Sequence, residues 1–464
     1  MRVVPQTLAG LGNLWAGLAS TAICYAEYLG LGAVLGPALL GYGDQSKSAG
    51  TLLIVLSALI ASLLLGVRGI PMLAGPRGAS LSILVLTLLW LQSHFAVTSR
   101  QQLPLLASLM LGCTCMLWLA GSDRIQRGFR NLPSWLVPSF IYASAVGIVS
   151  GAVGKYLYQC LQIAPLQTWS IFLSATLTGI LWPIACRACA KRLRPQFPRL
   201  ASLATTLQGV ALILAAGCAW LAYEFSTLSP GQGGLCARLG RVDLDLQMLT
   251  ERTQTMLQFL SSGITAPAML CAFVAGLFVG GVCTIETLTT TDSLKHSGAA
   301  FGLTIAPASS QLRLGAASNL LLCAATTVPA SLSHSRAQPL WRLSPPSRWA
   351  VILHAAALAA IAILVSRWLA WLPQLALAVL MTLVATQMVS QSTLQIWKNA
   401  YDPKVAAALG LRAGLGLWLV LGITALTGQV LLAFVLPAML FGVLRWLRIR
   451  RLQKKKRRLA RGAL

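Results

Sequence analysis

The sequence predicts an all-α polytopic membrane protein with fourteen transmembrane segments, and three observations carry that prediction. Of 464 residues, 56% are hydrophobic and only 10% charged, too little polar surface to cover a soluble fold of this size. The 36 Lys and Arg, set against 10 Asp and Glu, gather in clusters at alternate ends of successive apolar runs. Two short, proline-led polar segments also interrupt those runs: Ala74-Gly75-Pro76-Arg77-Gly78-Ala79-Ser80 and Val328-Pro329-Ala330-Ser331-Leu332-Ser333-His334-Ser335-Arg336. Each reads as a helix that starts inside the membrane, where irregular chain persists only if protein buries it or it lines a watery cavity. Two facing helix N-termini would make an anion site.

Taken in order, the apolar runs place spans near 14–36, 50–67, 76–92, 104–121, 134–154, 169–189 and 203–225 in the first half. The second half gives 262–290, 314–327, 330–340, 349–371, 374–392, 406–426 and 429–446. The segment 330–340 is too short and polar to be found by hydropathy, and charge parity decides it. One side collects Arg124, Arg127 and Arg130; Arg187, Lys191, Arg192, Arg194 and Arg199; Lys295 and Arg313; Arg342 and Arg348; Lys398 and Lys404; and the basic run Arg445 to Arg461. The other holds Lys47, Arg100, Lys155, Arg238, Arg241, Arg252 and Arg367, diluted by Asp243, Asp245 and Glu251. Removing either polar segment as a crossing puts clusters on the wrong face, so both termini are expected in the cytoplasm of a cell (inner or plasma) membrane protein.

The first apolar run is longer than a signal h-region and lacks an Ala-x-Ala cleavage pattern, so it is expected to be retained. Of eleven cysteines only Cys160 and Cys236 fall in predicted outer loops, so a disulfide framework is not expected. Cys186-Arg187-Ala188-Cys189 has CxxC spacing without a second pair and reads as a helix end. The net charge of +26 would point to nucleic acid in a soluble chain. Here the tail 447–464 follows an apolar span without aromatic interleaving, and is read as an anchor on anionic lipid, with no nucleic-acid partner. The connection 226–256 is read as structural filler.

Ionisable groups inside a span are costly and so mark function. Glu27 precedes Gly30 and Gly32 and is read as a proton or cation site, against the alternative of a carboxyl bonded to a neighbouring helix. Glu286 lies in Cys283-Thr284-Ile285-Glu286-Thr287-Leu288-Thr289-Thr290, where helical geometry puts Thr289 and Thr290 on its face. Such oxygen-rich surroundings suit Na+ or a transferable proton. Asp292, near Lys295 and His296, reads as interfacial. Ser331, Ser333 and Ser335 with Arg336 bring hydroxyl donors and a fixed positive charge to a helix start, the chemistry an oxyanion needs. Arg77 and Gly78 are the counterpart in the first half: Arg77 either meets substrate or compensates Glu27 or Glu286. With four His and none paired to a carboxylate at metal-ligand spacing, no metal site, cofactor or enzyme activity is expected.

These residues resemble the sulfate permease (SulP) family of anion transporters over nearly all of the spans. Trp15-Ala16-Gly17-Leu18 is similar to the family's opening A-G-L run, with Ala26-Glu27 where a Pro-Gln pair usually stands. Gly75-Pro76 resembles its G-P at the third helix, and Glu286 with Lys295-His296-Ser297-Gly298 its eighth-span end. Leu314-Gly315-Ala316-Ala317-Ser318-Asn319 resembles L-G-x-x-N, Pro329 to Arg336 resembles P-V-T-G-S-F-S-R, and Leu372-Pro373 resembles L-P-x-A-x-L-A. The resemblance implies two inverted seven-helix repeats, with a core (14–121 and 262–371) moving against a gate (134–225 and 374–446) and half-helices at the third and tenth positions. It also implies a small anion (sulfate, bicarbonate or dicarboxylate) held near Glu27, Leu31, Arg77, Gly78, Ser331, Ser333, Ser335 and Arg336, with Glu27, Glu286 and Thr290 coupling H+ or Na+. A STAS domain usually follows the last helix in that family; none follows in this sequence. Glu27 in place of Gln points to proton coupling. Symport or exchange, and homodimerisation, stay open. A nucleobase permease of the same architecture and a passive anion channel are the rival readings.

Overall fold

The computed structural model describes residues 6–40, 44–95, 102–130, 157–193, 211–226, 266–299, 306–333, 347–369 and 373–388, with a few isolated positions besides. The spans expected near 134–154, 406–426 and 429–446, the connection 226–256 and the basic tail lie outside them, single positions apart. Twelve helices run in order among the described residues. They are α1 Gln6–Leu40, α2 Asp44–Val67, α3 Gly78–Phe95, α4 Gln102–Ala120, α5 Asp123–Arg130 and α6 Tyr158–Ile163, followed by α7 Pro165–Leu193, α8 Ala211–Glu224, α9 Ala266–Ala299, α10 Ala308–Ala324, α11 Arg348–Leu369 and α12 Gln374–Met388. Ala49–Val67, Gln102–Ala120, Pro165–Leu193 and Ala266–Asp292 are each long and apolar enough to cross a membrane.

Two packing groups emerge. In the larger, α9 and α10 pack on α4, and α11 lies across α1 and α2; in the smaller, α7, α8 and α12 pack on one another. The groups meet where α12 and α8 lie on α1 and where α12 touches α3. Backbones come very close inside the larger group, as membrane helices do when small residues line the seam. A Cβ on Gly112 of α4 or Gly276 of α9 would strike the backbone of the opposite helix, and so would one on Gly32 of α1 or Gly50 of α2. Buried polar side chains add cross-links. His354 Nδ1 on α11 lies 3.0 Å from both Ser20 Oγ and Thr21 Oγ1 on α1.

The polar segments are not bare helix starts. Each begins with a two-residue strand, β1 Ala74–Gly75 and β2 Ser331–Leu332, and the strands pair antiparallel, Ala74 opposite Leu332 and Gly75 opposite Ser331. This pair qualifies the all-α expectation, and its cause is the backbone itself. At membrane depth an extended residue must find partners for its N–H and C=O, and two broken segments facing each other can satisfy one another. Side chains hold the remaining groups. Ser57 Oγ donates to Val328 O (2.7 Å), Ser62 Oγ to Ala74 O (2.9 Å), and the Ser333 amide to Leu73 O (3.0 Å). The amide of Asn319 does most: Nδ2 donates to Ala330 O (2.8 Å) while Oδ1 accepts from Ala330 N (3.0 Å).

The chain enters both strands through the same turn. After α2 the amides of Arg68, Gly69 and Ile70 bond to Leu64, Gly66 and Leu65 O; after α10 those of Ala325, Thr326 and Thr327 bond to Leu321, Cys323 and Leu322 O. The middle residue is left-handed in each, Gly69 at φ 74° and Thr326 at φ 49°. Glycine takes that conformation freely, whereas the β-branched Thr326 holds it at a cost on the order of 1–3 kcal/mol.

Asn319→Leu removes both bonds to Ala330 and leaves a buried amide and carbonyl unpaired. We expect it to destabilise the protein by about 2–4 kcal/mol, read as a lowered thermal midpoint in detergent, with Asn319→Asp intermediate because it keeps the acceptor.

Candidate functional site

The strand pair sets the starts of two chain segments side by side, α3 after Pro76 and the helical turn containing Arg336. Four charged side chains converge there. Arg336 reaches back to α1 and grips Glu27 with two bonds, Nη2 to Oε1 at 2.6 Å and Nε to Oε2 at 3.1 Å. The same Nη2 donates to Pro76 O at 2.6 Å, which ties the second segment to the first. The guanidinium also lies over the Tyr28 ring, 4.7 Å from its centroid. Bidentate, charge-assisted bonds of this kind are the strong ones, and the planar fork of arginine is what permits them.

Arg77 turns the other way. Its Nε stands 3.9 Å from Glu286 Oε1 on α9, while Nη1 donates to Thr290 Oγ1 and to Leu332 O, each at 3.3 Å. Glu286 Oε2 accepts from Ser331 Oγ at 2.8 Å. Thr290 Oγ1 also reaches Leu332 O at 3.3 Å. Of the two carboxylates considered for Arg77, Glu286 is its ionic neighbour. Thr289, expected on the face of Glu286, bonds back instead to Ile285 O and Glu286 O of its own helix and stays outside the cluster. Asp292 lies half exposed between Arg130 (3.8 Å) and Lys295 (3.7 Å).

The other expected residues fall as follows. Leu31, one turn beyond Glu27, is fully buried in the core. Gly78 opens α3, and Ser331 and Ser333 are buried at β2. Ser335 lies outside the described residues. Among the described residues no group of three or more His, Cys, Asp or Glu is placed to hold a metal ion. Cys160, despite the expectation against disulfides, is disulfide-bonded, and its partner lies outside the described residues.

The two ion pairs cross. Glu27 on α1 and Arg77 in the first polar segment belong to one half, Glu286 on α9 and Arg336 in the second segment to the other, yet each carboxylate faces the arginine of the other half. The spacing from Glu27 to Arg77 equals that from Glu286 to Arg336, residue for residue, and Gly17 with Gly276 and Cys24 with Cys283 fall in the same register. That shared offset is the sequence signal that relates the two halves, and aligning the chain with itself brings it out. Tyr28 was legible only as a neighbour of Glu27. Ser57 and Ser62, ordinary serines in an apolar run, carried no signal.

No protein-family model matches the sequence. No curated protein matches it either. Solved structures do. The transmembrane domain of a cyanobacterium bicarbonate transporter, BicA, superposes with a TM-score of 0.59 at 15% identity, covering 91% of this chain and 97% of that one. SLC26A9 superposes at 0.62 and 12% identity over 95% of this chain and 66% of that one. The murine Slc26a9 anion transporter in its inward-facing state gives 0.60 and 12%, over 94% and 68%. The chain therefore has the multi-pass transmembrane fold of these solved structures.

Gly75 is where the crossing is tightest. A Cβ there would sit 2.7 Å from Tyr28 Oη, 2.8 Å from Arg336 Nη1 and 3.2 Å from Ala58 Cβ. Tyr28 and Arg336 are buried and cannot step aside without loosening the Arg336–Glu27 pair. Gly75→Ala is expected to lower the thermal midpoint in detergent by several degrees, while Gly128→Ala, where a Cβ meets nothing, leaves it unchanged.

Proposed function

We propose that the protein is a secondary active transporter of a small solute bearing an anionic group, of the sulfate, bicarbonate or dicarboxylate class, coupled to H+ or Na+. One observation carries this reading. Two broken segments face each other in the membrane and bring Arg77, Arg336, Glu27 and Glu286 into one cluster, a costly arrangement of the kind that marks functional sites. The solute would sit between the start of α3 and the segment Ser331 to Arg336, with Glu27, Glu286 and Thr290 as the coupling groups. The fold shared with a bicarbonate transporter supports the choice of solute class.

The matched turns, the matched spacing of the acidic and basic residues and the antiparallel strands support two inverted repeats of seven spans, fourteen in all. The larger packing group would then be the core, built around 14–121 and 262–371, and the smaller the gate, within 134–225 and 374–446. The seam runs where α1 and α3 meet α12. Transport by elevator-like displacement slides these surfaces past each other, and Gly30 with Met381 marks the contact: a Cβ on Gly30 would lie 3.0 Å from Met381 Sδ. Sidedness has support at both faces. Arg130, Asp292 and Lys295 cluster on one, in line with the charge rule, and a disulfide at Cys160 fits an oxidising compartment on the other; both termini would then be cytoplasmic.

Two experiments test this. Proteoliposomes holding the purified chain should accumulate at least one labelled small carboxylate or inorganic anion under a proton or Na+ gradient; entry of none under either gradient sinks the proposal. A Gly30→Cys/Met381→Cys variant, oxidised to bridge α1 and α12, should lose uptake to background and regain it on reduction. Uptake that survives the bridge would show that this seam does not move.

A further inference from the structure

The outer side of the larger packing group carries a second gathering of charge, apart from the ion pairs at the breaks. α4 and α10 run antiparallel along it. Arg313, near the start of α10, lies against the end of α4, where a Cβ on Gly121 would meet its Cγ at 2.9 Å and its Nε at 3.4 Å. At the other end of the pair Cys323 Sγ lies 3.4 Å from Ala107 O. Between those contacts the large side chains turned outward are apolar: Leu111, Trp118 and Leu119 on α4, Leu320 and Leu321 on α10. Trp118 is 63% exposed within the last turn of its span, the place where membrane proteins set tryptophan at the level of the lipid headgroups.

The chain turns at once beyond that tryptophan. The amides of Gly121 and Ser122 bond back to Trp118 O and Leu119 O, each at 3.0 Å, and α5 begins at Asp123. Ile125 and Phe129, one helical turn apart, pack against the core, and the Phe129 ring lies 3.7 Å from where a Cβ on Gly281 of α9 would stand. Arg124, Arg127 and Arg130 are left exposed. A short helix with its apolar side inward and arginines outward, directly after a span, lies in the headgroup layer. Basic residues are common at that height, and their pairing separates these. Arg130 and Lys295 share Asp292. Among the described residues Arg124, Arg127 and Arg313 meet no carboxylate. Three guanidinium groups therefore edge an apolar face that is open to lipid.

We infer that this face of α4, α5 and α10 holds an anionic phospholipid, with its headgroup at the rim formed by Arg124, Arg127 and Arg313 and its acyl chains along Leu111, Trp118, Leu320 and Leu321. Arginine suits a phosphate, and basic residues at the membrane surface draw acidic lipid. A free phosphate would answer the charge alone, whereas the apolar side chains beneath it call for a lipid. The inference stands apart from the transporter reading. It attaches the lipid to the packing group that contains both breaks, and so to the part of the protein that carries the candidate site.

The experiment reads lipid contact at Trp118. The full chain is reconstituted in phosphatidylcholine bilayers containing a minor fraction of either phosphatidylglycerol or phosphatidylcholine with brominated acyl chains, which quench tryptophan on contact. Subtracting the emission of Trp118→Phe isolates Trp118 from the other tryptophans. Brominated phosphatidylglycerol should quench it about threefold or more as strongly as brominated phosphatidylcholine. The combined Arg124→Gln, Arg127→Gln and Arg313→Gln variant should bring the two to equality; if it does not fold, Arg313→Gln alone should lower the preference by about half. Changing Lys454, Lys455 and Lys456 of the tail to Gln should leave the preference intact, and so should an excess of soluble glycerol phosphate. Equal quenching by the two lipids, or a preference that survives loss of the arginines, overturns the inference. So does a preference abolished by the tail substitutions, which would assign the lipid to the tail, or by glycerol phosphate, which would make this a site for free phosphate.

Discussion

The backbone pairing of β1 with β2 is the constraint on which everything else depends. Two chain segments give up helical hydrogen bonds in the middle of an apolar protein, and the lost bonds are recovered only because each segment lies against the other. Ser57, Ser62 and Asn319 complete the accounting with donors aimed at Val328, Ala74 and Ala330. Once the strands are in place, the geometry of the site follows. α3 must start at Gly78, the second segment must turn at Arg336, and the arginine beside each break has only the opposite half to reach into.

The ion pairs are a consequence of that placement and also a reinforcement of it. Arg336 bonds Glu27 on α1 and Pro76 O at the first break, so one guanidinium joins three parts of the chain. Arg77 and Thr290 both contact Leu332 O, which binds α9 to the second break. Such paired charges are costly to bury and more costly to separate. They hold the broken segments rigid while leaving Glu27 and Arg77 partly open.

Much of this was legible in the sequence. The proline-led segments, the intramembrane Glu27 and Glu286, and Arg77 and Arg336 all stand out because polar residues in apolar runs are rare and need a reason. Most span positions, 330–340 excepted, followed from hydropathy, and the long described helices overlap the expected spans. The strand pair was not legible, since two residues give no periodicity and their partner is remote in sequence. Nor was the identity of each ionic partner. Local spacing relates Glu286 to Thr289, a contact that the helix backbone wins instead, but it cannot relate Glu27 to Arg336. The serines that hold the breaks look like any serine in a membrane helix until the carbonyls they serve are placed.

The crossed arrangement also bears on how such a chain can change over generations. Because Glu27 answers to Arg336 and Glu286 to Arg77, neither half of the sequence is a self-sufficient unit of charge. Altering one carboxylate strands an arginine in the opposite half, and a compensating change must arise far along the chain. Once two similar halves come to hold each other in this way, they are no longer free to diverge separately. Their evolution is tied by electrostatics rather than by proximity in the gene.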